Sequence, residues 1–244
     1  MRDRVLLVAG GGGGIGRAVV KALAAAGAQV IAAGRSCRPT APAGAVGYRP
    51  FDIMDIASCH ALVADIVAGH GGLDGVVDCT NVGTTGMAGA FGALDPARFA
   101  DIVTTGILPI LNLCHAALPA LTARGAGTIV AFASDSGKVA APNQTMVGTT
   151  RAAVMMFVRS LALEAARDNV RVNCVSSSFV RDTPVYASVM AGPIASRART
   201  AAARAGLGLP DAADMAALVA FLCSDAAAHM TGQVLSVNGG VTAA

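Results

Sequence analysis

The chain has 244 residues, 54% of them hydrophobic, 14% charged and 4% aromatic, with no tryptophan and a formal net charge of +3. So few charges with so large an apolar fraction exclude disorder, and the length suits a single α/β domain spanning 1–244. No Lys/Arg run or aromatic platform is offered to nucleic acid, which is excluded as a partner.

The N-terminal apolar run ends at Ala9, too short for a signal-peptide core, and no later segment is expected to reach the length of a membrane span. Residues 4–9 read as a buried strand, and 14–26 as a helix closed by Gly27. Strands are expected at 28–34 and 45–51, a helix at 56–68 and a fourth strand at 73–80. A long helix follows from about 95 to 123, with Pro109 expected to interrupt it. A strand at 128–133, a nearly all-apolar helix at 143–166 and a strand at 170–175 come next. The stretch 176–193 reads as irregular, then a helix at 211–223 and a last strand at 233–237 complete the chain. Alternating strands and helices with continuous apolar strands mean a Rossmann-type doubly wound parallel sheet of about seven strands, in three α/β/α layers. The six cysteines (Cys37, Cys59, Cys79, Cys114, Cys174, Cys223) include no C-x-x-C pair, which reads as free thiols in a reducing cytoplasm.

The first strand runs into Gly10, Gly11, Gly12, Gly13 and Gly14, then Ile15 and Gly16, where a helix begins. Without side chains, backbone N–H groups and a helix N-terminus can reach a pyrophosphate. At the end of the second strand, where NAD use calls for an acid that accepts the ribose hydroxyls, stands Gly34-Arg35. An arginine there suits a 2′-phosphate, so NADP is expected rather than NAD, with Arg38 as a second charge.

These residues identify a resemblance to the short-chain dehydrogenase/reductase family over nearly the whole chain. Ala9 through Gly16 is similar to TGxxxGIG, and Asp52-Ile53 to the pair that meets adenine. LDGVVDCTN, ending at Asn81, resembles the segment that closes with NNAG, with Asn81-Val82-Gly83 as a competing frame. NVRVNCV and TGQVLSVNGG match closely. The resemblance implies NAD(P)-dependent oxidoreduction of a carbonyl or alcohol by an Asn-Ser-Tyr-Lys tetrad.

Here the pattern breaks. Ser134 falls on the family Ser, but Val147 stands for Tyr, Arg151 for Lys and Gly106 for Asn. The only tyrosines are Tyr48 and Tyr186, and the only lysines Lys21 and Lys138, so no Tyr-x-x-x-Lys exists in any register. Valine cannot exchange a proton and arginine stays charged, although Arg151 can still donate to a ribose. Ser177-Ser178 replaces Pro-Gly, and Asp182 a threonine near the carboxamide. Among substitute acids, Tyr186 ranks above Asp135, Lys138 and His115, which read as surface or packing residues. Three functions follow: a redox enzyme with a substitute acid, a non-redox enzyme (isomerase, cyclase or lyase) on the same scaffold, or a non-catalytic nucleotide-binding subunit. The 143–166 helix, with no polar face for water, is expected to pair in a homodimer or homotetramer.

Overall fold

Short runs of Val, Ile, Leu and Ala with little charge form the buried inner strands, and with two more exposed edge strands they make one seven-stranded parallel sheet. They are β1 (Val5–Ala9), β2 (Gln29–Gly34), β3 (Ala45–Pro50), β4 (Gly75–Asp78), β5 (Gly127–Ser134), β6 (Val170–Ser177) and β7 (Val234–Ser236). The computed structural model describes residues 1–35, 41–81, 86–192 and 195–243. Strand order is β3-β2-β1-β4-β5-β6-β7, the doubly wound arrangement expected from the alternating pattern.

Seven α-helices accompany the sheet among the described residues: α1 (Gly14–Ala25), α2 (Ile56–His70), α3 (Phe99–Arg124), α4 (Thr145–Ala165), α5 (Pro184–Ala191), α6 (Ala195–Arg204) and α7 (Ala212–Cys223). One core, including Leu7, Ile31, Ile66, Leu113, Val158 and Val172, lies between the sheet and α2, α3 and α4. The other, including Leu6, Val8, Val30, Val20, Met215 and Leu222, lies between the sheet and α1 and α7. Alternate residues of β1 thus serve opposite layers, as period-two geometry demands. Helix ends follow local chemistry. Asp55 caps α2 by accepting from the Ala57 N–H, and α2 stops at Gly71 with φ 74°. Asp211 and Asp214 form a reciprocal capping box on α7.

Four expectations need correction. Pro109 does not interrupt α3, which carries both Pro109 and Pro119 inside one helix. A proline inside a helix costs about 3 kcal/mol, whereas each large apolar side chain buried on this helix returns about 1.5–3 kcal/mol. Ile102, Ile110, Leu113 and Leu121 are all buried, so packing wins. The stretch 176–193 is not irregular throughout, because Thr183 caps α5 by accepting from the Tyr186 N–H. Nor was α6 foreseen, since its alternating Arg and Ala lack a broad apolar stripe. Lastly, Pro96–Arg124 and Thr145–Asp168 are by length and composition long and apolar enough to cross a membrane. Their apolar character is that of helices laid on a sheet.

Candidate cofactor and active site

The β1–α1 turn is built so tightly that side chains have no room. Gly10 has φ 74°, and a β-carbon there would lie 2.7 Å from the Cys79 backbone; one on Gly11 would lie 2.8 Å from the Ala32 β-carbon. A β-carbon on Gly16 would run into the Gly10 carbonyl oxygen. The turn is locked by Gly13 N–H donating to the Gly10 carbonyl (2.9 Å) and by Arg17 Nε donating to the Gly12 carbonyl (3.0 Å). No side chain caps α1 and no acid stands in its first turn. Its first N–H groups, on Gly14, Ile15 and Gly16, therefore present an uncapped positive end that fits a pyrophosphate.

The other expected nucleotide residues follow strands β2, β3 and β4. Arg35 is exposed just past β2. Arg38 and Cys37 lie outside the described residues, as do Val82 and Gly83 of the competing frame. The Asp52 carboxylate accepts from the Met54 N–H (3.0 Å), and its own N–H donates to Ser58 Oγ (3.0 Å). Ile53 is buried, its carbonyl held by Asn112 Nδ2 at 3.0 Å. Asn81 is exposed beyond β4, next to the Cys79–Thr80 backbone that Gly10 approaches. These residues fit a dinucleotide's adenosine and pyrophosphate.

At the other end stand Ser134, Val147, Arg151 and Gly106. Ser134 ends β5, paired with Ser177 of β6, and its hydroxyl oxygen accepts from the Ser136 N–H (3.5 Å) and hydroxyl (3.2 Å). The following turn abuts α4 closely: a β-carbon on Gly137 would lie 2.7 Å from the Ala152 nitrogen, and one on Gly148 2.7 Å from the Ser136 carbonyl oxygen. The turn that follows Ser134 is thereby packed against the stretch of α4 that carries Gly148 and Arg151. Val147 packs onto the apolar cluster of Met87, Ile102 and Met146. Arg151 Nη1 donates to the Gly106 carbonyl (3.4 Å). At Gly106 itself α3 and α4 nearly touch, since a β-carbon would lie 2.6 Å from Thr150 Cγ2 and 2.7 Å from its Cβ. A side chain at position 106 has no room at this crossing.

One site residue escaped the sequence reading. Asp78, buried at the end of β4, accepts from the Thr80 N–H (2.9 Å) and hydroxyl (2.6 Å), and lines a small crevice with Thr80, Thr105, Gly106, Phe132 and Arg151. Burial pushes its carboxyl up, against the pull of the two Thr80 hydrogen bonds and the Arg151 charge. Burial likewise lowers the Arg151 guanidinium, which Asp78 opposes. Its signal was an acid inside the otherwise apolar β4 run.

Two of the proposed substitutes, Asp135 and Lys138, are engaged in hydrogen bonds of their own. Asp135 is not a surface group but a buried hub, accepting from Ser176 Oγ (2.8 Å), Ser178 Oγ (3.0 Å), Asn238 Nδ2 (2.6 Å), Ser236 Oγ (3.2 Å) and Thr242 Oγ1 (3.1 Å). Lys138 Nζ donates to the Val234 carbonyl and Ser236 Oγ, both at 2.8 Å. His115 is exposed and meets His60 at 3.3 Å. Tyr186 lies on α5, edge-on to Phe179. Asp182 takes φ 60° and pairs with Arg181. Chemically, Ser134 can polarise an oxygen and Arg151 can donate hydrogen bonds. Neither Val147 nor Gly106 has a proton to give.

Residues 10–242 match the family model described as Enoyl-(Acyl carrier protein) reductase. The chain is 33% identical to cis-4-hydroxycyclohexanecarboxylate dehydrogenase of Sinomonas cyclohexanicum, covering 99% of this chain and 97% of that protein. It is 30% identical to nodulation protein G of Azospirillum brasilense, covering 99% of each. A solved short-chain type dehydrogenase/reductase from Mycobacterium ulcerans superposes with a TM-score of 0.86 at 29% identity, covering 99% of this chain and 90% of that one.

Proposed function

This chain belongs to the short-chain dehydrogenase/reductase family of NAD(P)-dependent oxidoreductases, and from that premise we propose that it binds NADP(H) in preference to NAD(H) while turning over simple carbonyls weakly or not at all. The observation that carries this reading is the contrast between its two ends. At the nucleotide end the glycine turn is intact, α1 is uncapped, and β2 leads into an exposed Arg35 with no acid beside it. At the other end the tetrad positions hold Val147, Arg151 and Gly106.

A bound reduced dinucleotide would supply the hydride. Reduction of a carbonyl also needs a proton delivered to the oxygen. Ser134 can hydrogen-bond that oxygen, and Arg151 can hold ribose hydroxyls, but a guanidinium keeps its protons at any working pH. Loss of a positioned general acid costs about 10²–10⁴-fold in rate. We also propose a homodimer or homotetramer. Its support is the exposed apolar character of the outer helices, with Met156 59%, Leu163 77% and Val103 45% exposed. Polar Arg159, Ser160 and Glu164 flank that face of α4, so it is less uniformly apolar than its sequence suggests.

Calorimetric titration of both reduced cofactors into the native protein and Arg35→Ala tests the preference. The variant is expected to lose about 1–3 kcal/mol of NADPH affinity and almost none for NADH. Equal losses for both, or a native preference for NADH, overturn the reading.

A further inference from the structure

Gly34 raises a question that its backbone does not answer. It ends β2 and is not among the glycines with positive φ, so its conformation is open to any residue. The reason for a glycine must be space. Val30 and Ala32 of β2 face the α1 side of the sheet, and residue 34 continues that face by the period of two. On the neighbouring strand Tyr48 pairs with Ala32, and its ring packs on the same core. Its hydroxyl reaches one pleat further, so that a β-carbon on residue 34 would lie 2.7 Å from Tyr48 Oη and 3.7 Å from Cζ. The Gly34 backbone cannot easily retreat, because its carbonyl accepts from the Phe51 N–H at 3.1 Å.

We propose that Tyr48 is a specificity-determining residue, its hydroxyl standing where an acid on residue 34 would project and donating instead to a phosphate on the adenosine ribose. The inference rests on the NADP(H) reading above and names a second residue for it. An acid at the end of β2 takes ribose hydroxyls and repels a 2′-phosphate. A phenol in that space is neutral, so it excludes the acid sterically and can donate to the phosphate while Arg35 supplies the charge. The half-buried ring anchors the hydroxyl at little entropic cost.

The test uses 2′,5′-ADP and 5′-AMP, which carry the adenosine half alone, titrated calorimetrically into the full chain. Tyr48→Phe keeps the ring and its packing. It is expected to weaken 2′,5′-ADP by roughly tenfold, the loss of one hydrogen bond to a charged group, with 5′-AMP almost unchanged. Gly34→Asp alone is expected to gain no affinity for NADH, because Tyr48 blocks the new side chain. The double variant Gly34→Asp with Tyr48→Val opens the space and is expected to bind NADH about tenfold more tightly than Gly34→Asp alone. If Tyr48→Phe binds 2′,5′-ADP like the native chain, or if Gly34→Asp by itself gains NADH, the role given to Tyr48 is overturned while the NADP(H) reading stands. A native chain that fails to prefer 2′,5′-ADP over 5′-AMP overturns both.

Discussion

Alanine substitution at two helical glycines should move stability in opposite directions. In a helix interior, Gly→Ala gains up to about 1 kcal/mol of propensity. Gly69, in the last turn of α2, is exposed with nothing within 4 Å of an added β-carbon, so Gly69→Ala should collect part of that gain. At Gly106 of α3 the same methyl would lie 2.6 and 2.7 Å from Thr150 of α4. Thr150 is 2% exposed and its hydroxyl donates to the Met146 and Val147 carbonyls, so it cannot swing away. Overpacking a closed contact costs about 1–3 kcal/mol. The difference leaves Gly106→Ala destabilised by up to about 2 kcal/mol, or up to roughly 8 °C for a domain of this size. Thr150→Ala removes Cγ2 but leaves the β-carbon, so it should relieve the clash only in part. Urea and thermal unfolding of the two single variants and the Gly106→Ala/Thr150→Ala pair provide the measurement. If Gly106→Ala is stabilised like Gly69→Ala, the crossing at Gly106 has room for a methyl and the packing argument fails. A tight crossing also means that Gly106→Asn, combined with Val147→Tyr and Arg151→Lys, cannot restore a family tetrad, because the amide has no space to enter.

Burial acts to raise the Asp135 carboxyl, but hydrogen bonds from Asn238, Ser176, Ser178 and Thr242 outweigh it and hold the group below its ordinary value. Its contribution is therefore full above the ordinary carboxylate range and lost as pH falls through the lowered folded value. Asp135→Asn should lose about 1.5–3 kcal/mol at pH 7 and show a flatter acid limb in unfolding experiments. An unchanged stability at pH 7 would contradict the hub. For assembly, light scattering at micromolar concentration should give a dimer or tetramer, and Met156→Glu with Leu163→Glu should shift it towards monomer. A native monomer would reject the interface.

The architecture was legible because strands buried on both faces leave an unmistakable apolar run, and because helices between them fix a parallel order. The glycine turn was legible for a related reason: close backbone approach admits one residue type only. Pro109 misled because local propensity was read without the packing that overrides it. Asp78 and Tyr48 were passed over because their importance lies in what faces them across the fold, Arg151 in one case and an absent side chain in the other. The hub role of Asp135, read as a surface or packing residue, was hidden for a similar reason. Its partners come from β6, β7 and the C-terminal residues, far away in the chain.

The central claim is that this chain keeps the nucleotide end of the site and has dismantled the proton-transfer end. Rapid mixing with stoichiometric NADPH and an excess of a simple ketone tests both halves in one fluorescence trace. The account predicts a prompt change as the cofactor binds. A plateau should follow, with any decay at least about 10²-fold slower than in a relative that carries the Tyr and Lys, run alongside. A prompt binding step followed by rapid, complete oxidation of the cofactor would contradict it.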